Sequence, residues 1–175
     1  MARGWAITLI TALAFISIAY VAVFLPPVDL LDRLRSGVYT AYFPWGLVSA
    51  DGSHAYVEIG GYRIAANLWR IAVCDPSGVC TREDVNFISL YLQLRASGAL
   101  SISGGGPCYD VDLRGVEAAG HLFSFSGAVC LAGDGSPTSI DGVAVIDGRR
   151  FDLSGGPVKV VHYFLFDRYM EVHGG

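Results

Sequence analysis

Hydrophobic and polar positions divide this chain into one long apolar run followed by many short alternating segments. Residues 5–25 read WAITLITALAFISIAYVAVFL and contain no charged side chain. A helix rises about 1.5 Å per residue, so a helix over this run is long enough to cross a bilayer core of about 30 Å. Pro26 and Pro27 end it, because a residue before proline avoids helical geometry. The pattern predicts an N-terminal membrane-spanning helix over residues 1–25.

Three interpretations of this helix stay open. An uncleaved signal anchor is the simplest of them. A cleaved secretory signal would use the small residues Ser17 and Ala19 at the cleavage site, although the apolar run continues past them. The third interpretation rests on Arg3-Gly4 directly before the apolar run. This pair resembles the leader of archaeal type IV pilins, in which a peptidase cuts after the glycine, and the resemblance implies a helix that forms the core of a filament.

Residues 26–37 predict a short juxtamembrane helix or linker. Three leucines in this segment form an apolar face. Asp29 and Asp32 lie early, whereas Arg33 and Arg35 lie late, which is the order that the helix dipole favours. Gly37 is expected to end the helix.

The rest of the chain, residues 38–175, predicts an extracytoplasmic β domain. Val38–Phe43 is rich in residues that favour strands. Tyr56–Ile59 and Tyr62–Ile64 flank Gly60-Gly61, a pattern typical of a β-hairpin with a two-residue turn. Leu68–Val73 is expected to form a further strand.

The segment Thr81–Arg95 supports two assignments. Between Asn86 and Arg95, apolar and polar residues alternate with a period of two, which favours a strand. The alternative is a helix, because Thr81–Asp84 has the pattern of a capping box and Gly98 could end the helix. We predict the strand.

A faint internal repeat occupies the later part of the chain. Gly115–Gly127 reads GVEAAGHLFSFSG, and Gly142–Gly155 reads GVAVIDGRRFDLSG. Both read as a strand, a glycine turn and an alternating strand, which predicts two similar hairpins in one sheet. The inward positions of the second strands are expected to be Phe123, Phe125, Phe151 and Leu153.

The final run, Val158–Phe166, is apolar on both faces and predicts a central strand that is buried on each side. Together with the other segments it brings the count to about eight to ten short strands. That number, with tight turns between the strands, is typical of an antiparallel β-sandwich or a jelly-roll-like domain.

Composition excludes nucleic acid as a partner. Hydrophobic residues make up 53% of the chain and charged residues 16%, with a net charge of −4. Without Arg3, the remainder carries −4 − 1 = −5. Binding to phosphates needs clustered basic residues, and Lys159 is the only lysine. Only three Asn and Gln residues occur; scarce amides are one signature of a thermophile, although a bias toward Arg also follows from genome composition.

Four cysteines follow the apolar run, and we expect two disulfides among them. The turn Asp75–Gly78 would bring Cys74 and Cys80 together, and Cys108 and Cys130 bracket a predicted hairpin. Free buried thiols and a metal site are the alternatives, but zinc ligands usually stand two to four residues apart. Disulfides imply an oxidising compartment. They therefore place the domain outside the cell. The arginines on both sides of the apolar run do not by themselves decide the orientation of the helix.

The histidines form no metal-binding or catalytic motif. His162 stands in the final apolar run and is expected to be a core or interface residue. His121 stands at a turn and is expected to be exposed, and His173 belongs to the terminal tail. All four cysteines are assigned to disulfides, so no thiol nucleophile remains. We therefore predict no enzymatic activity, no cofactor and no catalytic residues.

Acidic and glycine-rich segments offer weaker candidates. The segment Ser103–Pro107 resembles a phosphate-binding loop only in composition and is predicted to be a turn. Asp110 and Asp112 alternate along a strand, so both point to one face. Asp134 and Asp141 lie in a glycine-rich loop of a kind that can bind Ca²⁺, but no EF-hand spacing is present. We expect solvated carboxylates and no metal site.

Aromatic residues concentrate in Val38–Trp45 and in Tyr163–Tyr169. Any that stay exposed are expected to mark a surface for a protein partner. The sequence therefore predicts a single-pass, membrane-anchored extracytoplasmic structural protein of the cell surface that assembles with itself or with neighbours, and a pilin-like filament is one form that this assembly can take. The alternative is the extracytoplasmic domain of an accessory subunit in a membrane protein complex.

Overall fold

The computed structural model of the protein describes residues 37–174. The predicted membrane helix over residues 1–25 and nearly all of the segment 26–37 lie outside the described residues. Within the described range, no helix has both the length and the apolar character needed to cross a membrane. The described residues are mostly β and form two antiparallel sheets.

The first sheet contains the N-terminal half of the domain and one late strand. Its strands are β1 Tyr39–Phe43, β2 Gly46–Ala50, β3 His54–Ile59, β4 Tyr62–Asn67, β5 Arg70–Cys74, β6 Cys80–Asp84 and β12 Lys159–Val161. They pair in the order β12-β1-β2-β3-β4-β5-β6, all antiparallel. The hairpin predicted around Gly60-Gly61 is confirmed, because β3 and β4 pair from Ile59 opposite Tyr62 to His54 opposite Asn67.

The second sheet contains the five remaining strands. They are β7 Leu100–Gly105, β8 Cys108–Ala118, β9 His121–Leu131, β10 Pro137–Ile146 and β11 Arg149–Leu153. The order β11-β10-β9-β8-β7 is that of a simple meander. Both halves of the internal repeat form hairpins of this sheet, as predicted, with turns at Ala119-Gly120 and Asp147-Gly148.

The core lies between the two sheets, as in a β-sandwich. Its buried residues come from both, and they include Tyr39, Phe43, Ile59, Tyr62, Val73, Ala144, Ile146 and Leu153. The predicted inward residues Phe123, Phe125 and Phe151 pack against this cluster. Burial and the nearby Asp134 carboxylate raise the pKa of Tyr39 to about 12, so its hydroxyl stays neutral.

The prediction of a strand over Asn86–Arg95 is wrong, since residues Phe87–Ser97 form helix α1. The Asn86 side chain caps the helix by accepting the Ser89 amide hydrogen at 3.1 Å. Gly98 ends it in the left-handed conformation. Local capping therefore outweighs the period-two pattern. The capping-box residues Thr81–Asp84 instead belong to strand β6.

The prediction of a central strand over Val158–Phe166 is also wrong. Strand β12 has three residues and lies at the edge of the first sheet, and helix α2 begins at Phe166 and runs to His173. The segment between them is fixed by buried hydroxyls: Thr40 donates to the Tyr163 carbonyl at 2.6 Å, and Ser49 accepts the Leu165 amide hydrogen at 3.1 Å. Phe164 and Leu165 of this run pack on the outer face of the sheet, whereas Val160 packs against the core between the sheets.

Helix α2 packs on the outer face of the first sheet. Tyr169 and Val172 are buried there against Leu47, Tyr56 and Ala72. His173 stacks on the Tyr169 ring with 4.7 Å between ring centroids. The predicted terminal tail is therefore an integral part of the fold.

The protonation state of His173 follows from the orientation of Asn67. Asn67 Oδ1 accepts amide hydrogens from Trp69 and Arg70 at 2.8 and 2.9 Å, so its Nδ2 group must point the other way. Nδ2 lies 3.2 Å from His173 Nε2 and can only donate. Nε2 must therefore accept, which requires a neutral imidazole. Burial and then the charge of Arg70 lower the pKa of His173, in agreement with this geometry.

We expect the free energy of unfolding to fall as the pH drops below about 6.5, the usual pKa of histidine. Because the pKa of His173 is lowered in the folded state, the unfolded chain binds more protons in this range, and acid favours it. The other charged groups near His173 are Arg70, His54, Arg82 and Asp84. Urea denaturation of the wild type and of His173→Gln between pH 5 and 8 measures the effect.

The variant His173→Gln should lose much of this pH dependence. Gln93, an exposed residue of α1 that carries no titratable group, provides the control, since Gln93→Ala should leave the dependence unchanged. Equal pH profiles for the wild type and His173→Gln would rule out this account.

Candidate functional site

A cleft of about 570 Å³ opens at one end of the first sheet, beside the β1–β2 and β3–β4 turns. This volume lies within the range of about 300–1,000 Å³ that ligand and partner pockets usually have. The side chains that define its chemistry are Tyr42, Trp45, Glu58, Tyr62, Arg63 and Arg168. The chain enters the sheet at Gly37, at the opposite end.

Strand register explains how distant residues meet in the cleft. Tyr42 lies opposite Leu47, Leu47 opposite Glu58, and Glu58 opposite Arg63, so the four side chains form one row on the outer face of the sheet. Arg168 reaches this row from helix α2. Its Nη1 lies 2.8 Å from Glu58 Oε1, although the two residues are 110 positions apart in the chain.

Glu58 is the electrostatic centre of the row. Its Oε1 also accepts a hydrogen bond from the Tyr56 hydroxyl at 2.6 Å. Burial, together with this carboxylate, raises the pKa of Tyr56 above its ordinary value. Arg63 is held less firmly, since its Nη1 lies 3.5 Å from Glu171 Oε2. The cleft therefore contains one well-paired arginine and one that is available for a further anion.

Aromatic rings supply the apolar surface of the cleft. Trp45 stacks on Phe43 with 4.6 Å between centroids and 17° between the ring planes. The Trp45 Nε1 atom is buried and has no hydrogen-bond partner among the described residues. Tyr42 forms a side-chain hydrogen bond with Tyr163, which together with burial raises the pKa of Tyr42. Aromatic and arginine side chains together are typical of protein-binding surfaces.

A second polar cluster adjoins the cleft through Tyr62. The Tyr62 hydroxyl donates to Asp147 Oδ2 at 3.2 Å, and the Arg149 guanidinium lies over the Tyr62 ring. The same carboxylate oxygen is 2.7 Å from His121 Nδ1, and His121 Nε2 is 3.1 Å from Thr81 Oγ1. These distances match the order of acid, base and nucleophile in a catalytic triad.

The hydrogen bonding of Thr81 contradicts a nucleophilic role. Its Oγ1 lies 2.5 Å from the Ala119 carbonyl oxygen and must donate its proton there. Nε2 of His121 therefore donates to Thr81 and does not receive its proton, the reverse of general-base catalysis. Neither Thr81 nor His121 lines the cleft. The cluster joins β6 of the first sheet to β9 and the β10–β11 turn of the second.

We expect Asp147→Asn to lower the free energy of unfolding by about 1–2 kcal/mol, because three hydrogen bonds lose a charged acceptor. Asp147 has a φ of 51°, which asparagine tolerates, so the variant removes the charge without changing the turn. The hydrogen bond from His121 lowers the pKa of Asp147.

The sign of the pH effect follows from that lowered pKa. The stabilisation by Asp147 is complete above about pH 4, the unfolded value, and is lost as the pH falls toward the folded value. Acid titration followed by circular dichroism should show a shallower acid transition in Asp147→Asn than in the wild type. Superimposable transitions would show that the hydrogen bonds to the Asp147 carboxylate do not stabilise the fold.

The structure contains both predicted disulfides, Cys74–Cys80 and Cys108–Cys130. Each joins residues that are directly opposite each other on neighbouring strands. No free cysteine occurs in the described residues.

The predictions for the histidines fare differently. His162 is exposed and does not belong to the core, since strand β12 ends one residue before it. The His121 side chain is only 11% exposed, contrary to the expected exposure, because it packs between the two sheets. Chain position alone does not show that its hairpin turn lies against β6.

Asp110 and Asp112 share one face, as predicted, and they line a groove of about 290 Å³ on the outer face of the second sheet. Ser101 and Ser126 flank Asp112 in register, and Ser103 flanks Asp110. Asp134 instead accepts hydrogen bonds from Ser136, and Asp141 accepts one from the Gly155 amide. Among residues 37–174, no group of His, Cys, Asp or Glu side chains could hold a metal ion.

Sequence reasoning anticipated the aromatic part of the cleft and missed its charged part. Glu58, Arg63 and Arg168 belong to three separate segments, and no local motif marks them. Comparisons with protein-family models, with curated proteins and with solved structures find no match to this chain. Its function must therefore be argued from the geometry.

Proposed function

We propose that this chain is a membrane-anchored, extracytoplasmic assembly protein whose cleft binds a second copy of the same chain. The uncharged run over residues 5–25 supports the anchor, and the two disulfides support an oxidising compartment. The observation that carries the assembly is the cleft itself, where Trp45, Tyr42 and Arg63 are presented at the end of the sheet farthest from Gly37.

Charge complementarity supports a second copy as the occupant. The cleft contains Arg63 and Arg168 against the single carboxylate of Glu58. The groove on the second sheet contains Asp110, Asp112 and serines, and Arg114 pairs with Asp112 at 2.6 Å, so Asp110 is the carboxylate that would meet an arginine of the second copy. The two surfaces belong to different sheets, so contact between copies would be head to tail, and such contacts build rings or filaments.

Charge reversal with rescue tests this assembly. The full chain, purified in mild detergent, should form oligomers that light scattering and negative-stain microscopy detect. Arg63→Glu and Asp110→Arg should each weaken association by about tenfold or more, because each places like charges in contact. Combined, the two substitutions restore an opposite-charge pair and should recover assembly.

Glu117→Arg is the matched control for Asp110→Arg, since Glu117 is another exposed carboxylate of β8 and lies outside the groove. It should leave assembly unchanged. A full chain that stays monomeric at every concentration would refute self-assembly.

The alternative is an accessory subunit of a membrane complex. The cleft presents the rings of Tyr42, Phe43 and Trp45, which have no aromatic counterpart in the groove, and this favours an occupant other than a second copy. A monomeric wild type that co-purifies from its native membrane with a different protein, in a manner dependent on Arg63, would support this alternative.

A further inference from the structure

Helix α1 is apolar in sequence, yet none of its residues is buried. Ile88 is 62% exposed and Leu92 is 43% exposed, and these residues stand one helical turn apart. Trp69 is 64% exposed and lies beside the start of the helix, because its carbonyl accepts the Val85 amide hydrogen at 2.9 Å. An exposed apolar group of this kind indicates a surface that something covers.

We propose that Trp69, Ile88 and Leu92 rest on the lipid surface of the membrane that holds the anchor. We call these three residues the lipid-facing patch. This inference rests on the anchoring part of the proposed function and is independent of assembly through the cleft. It adds a second, peripheral contact between the domain and the bilayer.

The position of the patch relative to the start of the domain supports this occupant. Tyr39 and Asn67 lie at the same end of the first sheet, because register links Tyr39 to Ala50, Ala50 to Ala55, and Ala55 to Ala66 beside Asn67. Three strand spacings separate β1 from β4, or about 15 Å. Eleven residues, 26–36, join the apolar run to Gly37 and can span at most roughly 40 Å. The anchor therefore keeps this end of the domain within reach of the bilayer.

Charge distribution favours lipid over a basic or acidic protein surface. The sequence from Val85 to Tyr109 contains no acidic residue, and Arg95 is its only charged residue. Residues 37–174 contain fourteen acidic residues, and no other stretch of this length among them lacks one. A helix whose only charged residue is Arg95, with an exposed tryptophan beside it, suits the interface of a membrane, where indole rings and a single arginine are favoured.

Two further exposed apolar residues lie at this end of the sheet. Val38 precedes β1 and is 49% exposed. Phe166, at 53% exposed, lies near His54, with 6.4 Å between ring centroids. Val79, Leu122 and Val158 are also exposed toward the other end, but they come from three separate segments, whereas Ile88 and Leu92 share one face of a helix.

Lipid-borne quenching tests the proposal on the full chain. Ile88→Cys and, as control, Glu117→Cys are each labelled with an environment-sensitive fluorophore. The labelled proteins are reconstituted in vesicles of three parts phosphatidylcholine to one part phosphatidylglycerol. The label at residue 88 should shift to shorter wavelength and be quenched several-fold by nitroxide-bearing lipid, whereas the label at residue 117 should remain as in water.

Three outcomes separate the possibilities. A residue 88 label that reports water while the chain floats with the vesicles overturns the lipid contact and leaves the anchor intact. A chain that does not float with vesicles overturns both the anchor and this inference. A residue 88 label that is shielded but not quenched by lipid, and whose shielding grows with protein density, overturns the lipid contact in favour of a second copy.

A variant without labels provides an independent test. Trp69→Ser, Ile88→Ser and Leu92→Ser together should keep the fold, since all three side chains are exposed, and should keep flotation through the anchor. Proteolysis of the domain on vesicles should then become several-fold faster near α1. An unchanged cleavage rate in folded protein would contradict the contact.

Discussion

Replacing Cys108 and Cys130 together by serine is expected to lower the free energy of unfolding by about 3 kcal/mol. The bridge closes a loop with a sequence separation of 22, and in the chain-entropy model its main effect is to restrict the unfolded chain. It also joins β8 to β9 at the end of the second sheet where Gly37 lies close to the Asp134 carbonyl of the β9–β10 loop.

Urea denaturation of the protein in detergent, followed by far-ultraviolet circular dichroism, measures this loss. Ala128→Ser is the control, because Ala128 stands two residues before Cys130 on the same face of β9 and the change adds one hydroxyl there. The control should unfold at the wild-type midpoint. A double serine variant with that same midpoint would show that the bridge contributes nothing.

A methyl group at Gly142 is expected to cost about 3 kcal/mol of folding free energy, the upper end of the usual range for overpacking. Gly142 of β10 lies directly opposite Gly127 of β9. A Cβ atom at Gly142 would overlap the Ser126 carbonyl and lie 2.7 Å from the Gly127 Cα atom. Backbone atoms cannot rotate away as a flexible side chain can, so the central pair of strands in the second sheet must separate.

Gly105→Ala is the matched control for Gly142→Ala. Gly105 also lies in a strand of the second sheet, but a Cβ atom there would meet nothing within 4 Å. Thermal unfolding should show a marked decrease in midpoint for Gly142→Ala and little change for Gly105→Ala. Equal midpoints for the two variants would mean that β9 and β10 can move apart freely.

Local signals in the sequence predicted local structure well. The Gly60-Gly61 hairpin and the two hairpins of the repeat depend on turn residues and on alternation within a few positions, and the structure contains all three. The disulfide partners followed from the same hairpin logic. These features need no knowledge of distant parts of the chain.

The errors arose where tertiary contacts decide the outcome. The apolar residues of Val158–Phe166 are compatible with a buried strand, but Thr40 and Ser49 fix this segment across the sheet from more than 110 positions away. Alternation over Asn86–Arg95 was outweighed by an asparagine cap and a glycine stop. In neither segment can the choice between a strand and the observed structure be made from the local sequence alone.

The candidate site likewise combines residues that local sequence signals reveal with residues that only tertiary contacts bring together. Its aromatic residues stood out as a cluster in the sequence, but Glu58, Arg63 and Arg168 meet only because β3, β4 and α2 are brought together by the fold. The lipid-facing patch could not be foreseen either, since the sequence favoured a strand where helix α1 exposes Ile88 and Leu92.

The pairing of β12 with β1 has a consequence for biogenesis. Thr40 and Val161 lie opposite each other, so the first strand of the domain cannot pair along this edge until the last strand has been synthesised. A domain that crosses a membrane from its N-terminus exposes β1 as an open edge until some 120 later residues have followed, and contacts of such long range form slowly. An open edge can pair with another chain. In a chain exported as proposed above, completion of the sheet therefore competes with pairing to another chain.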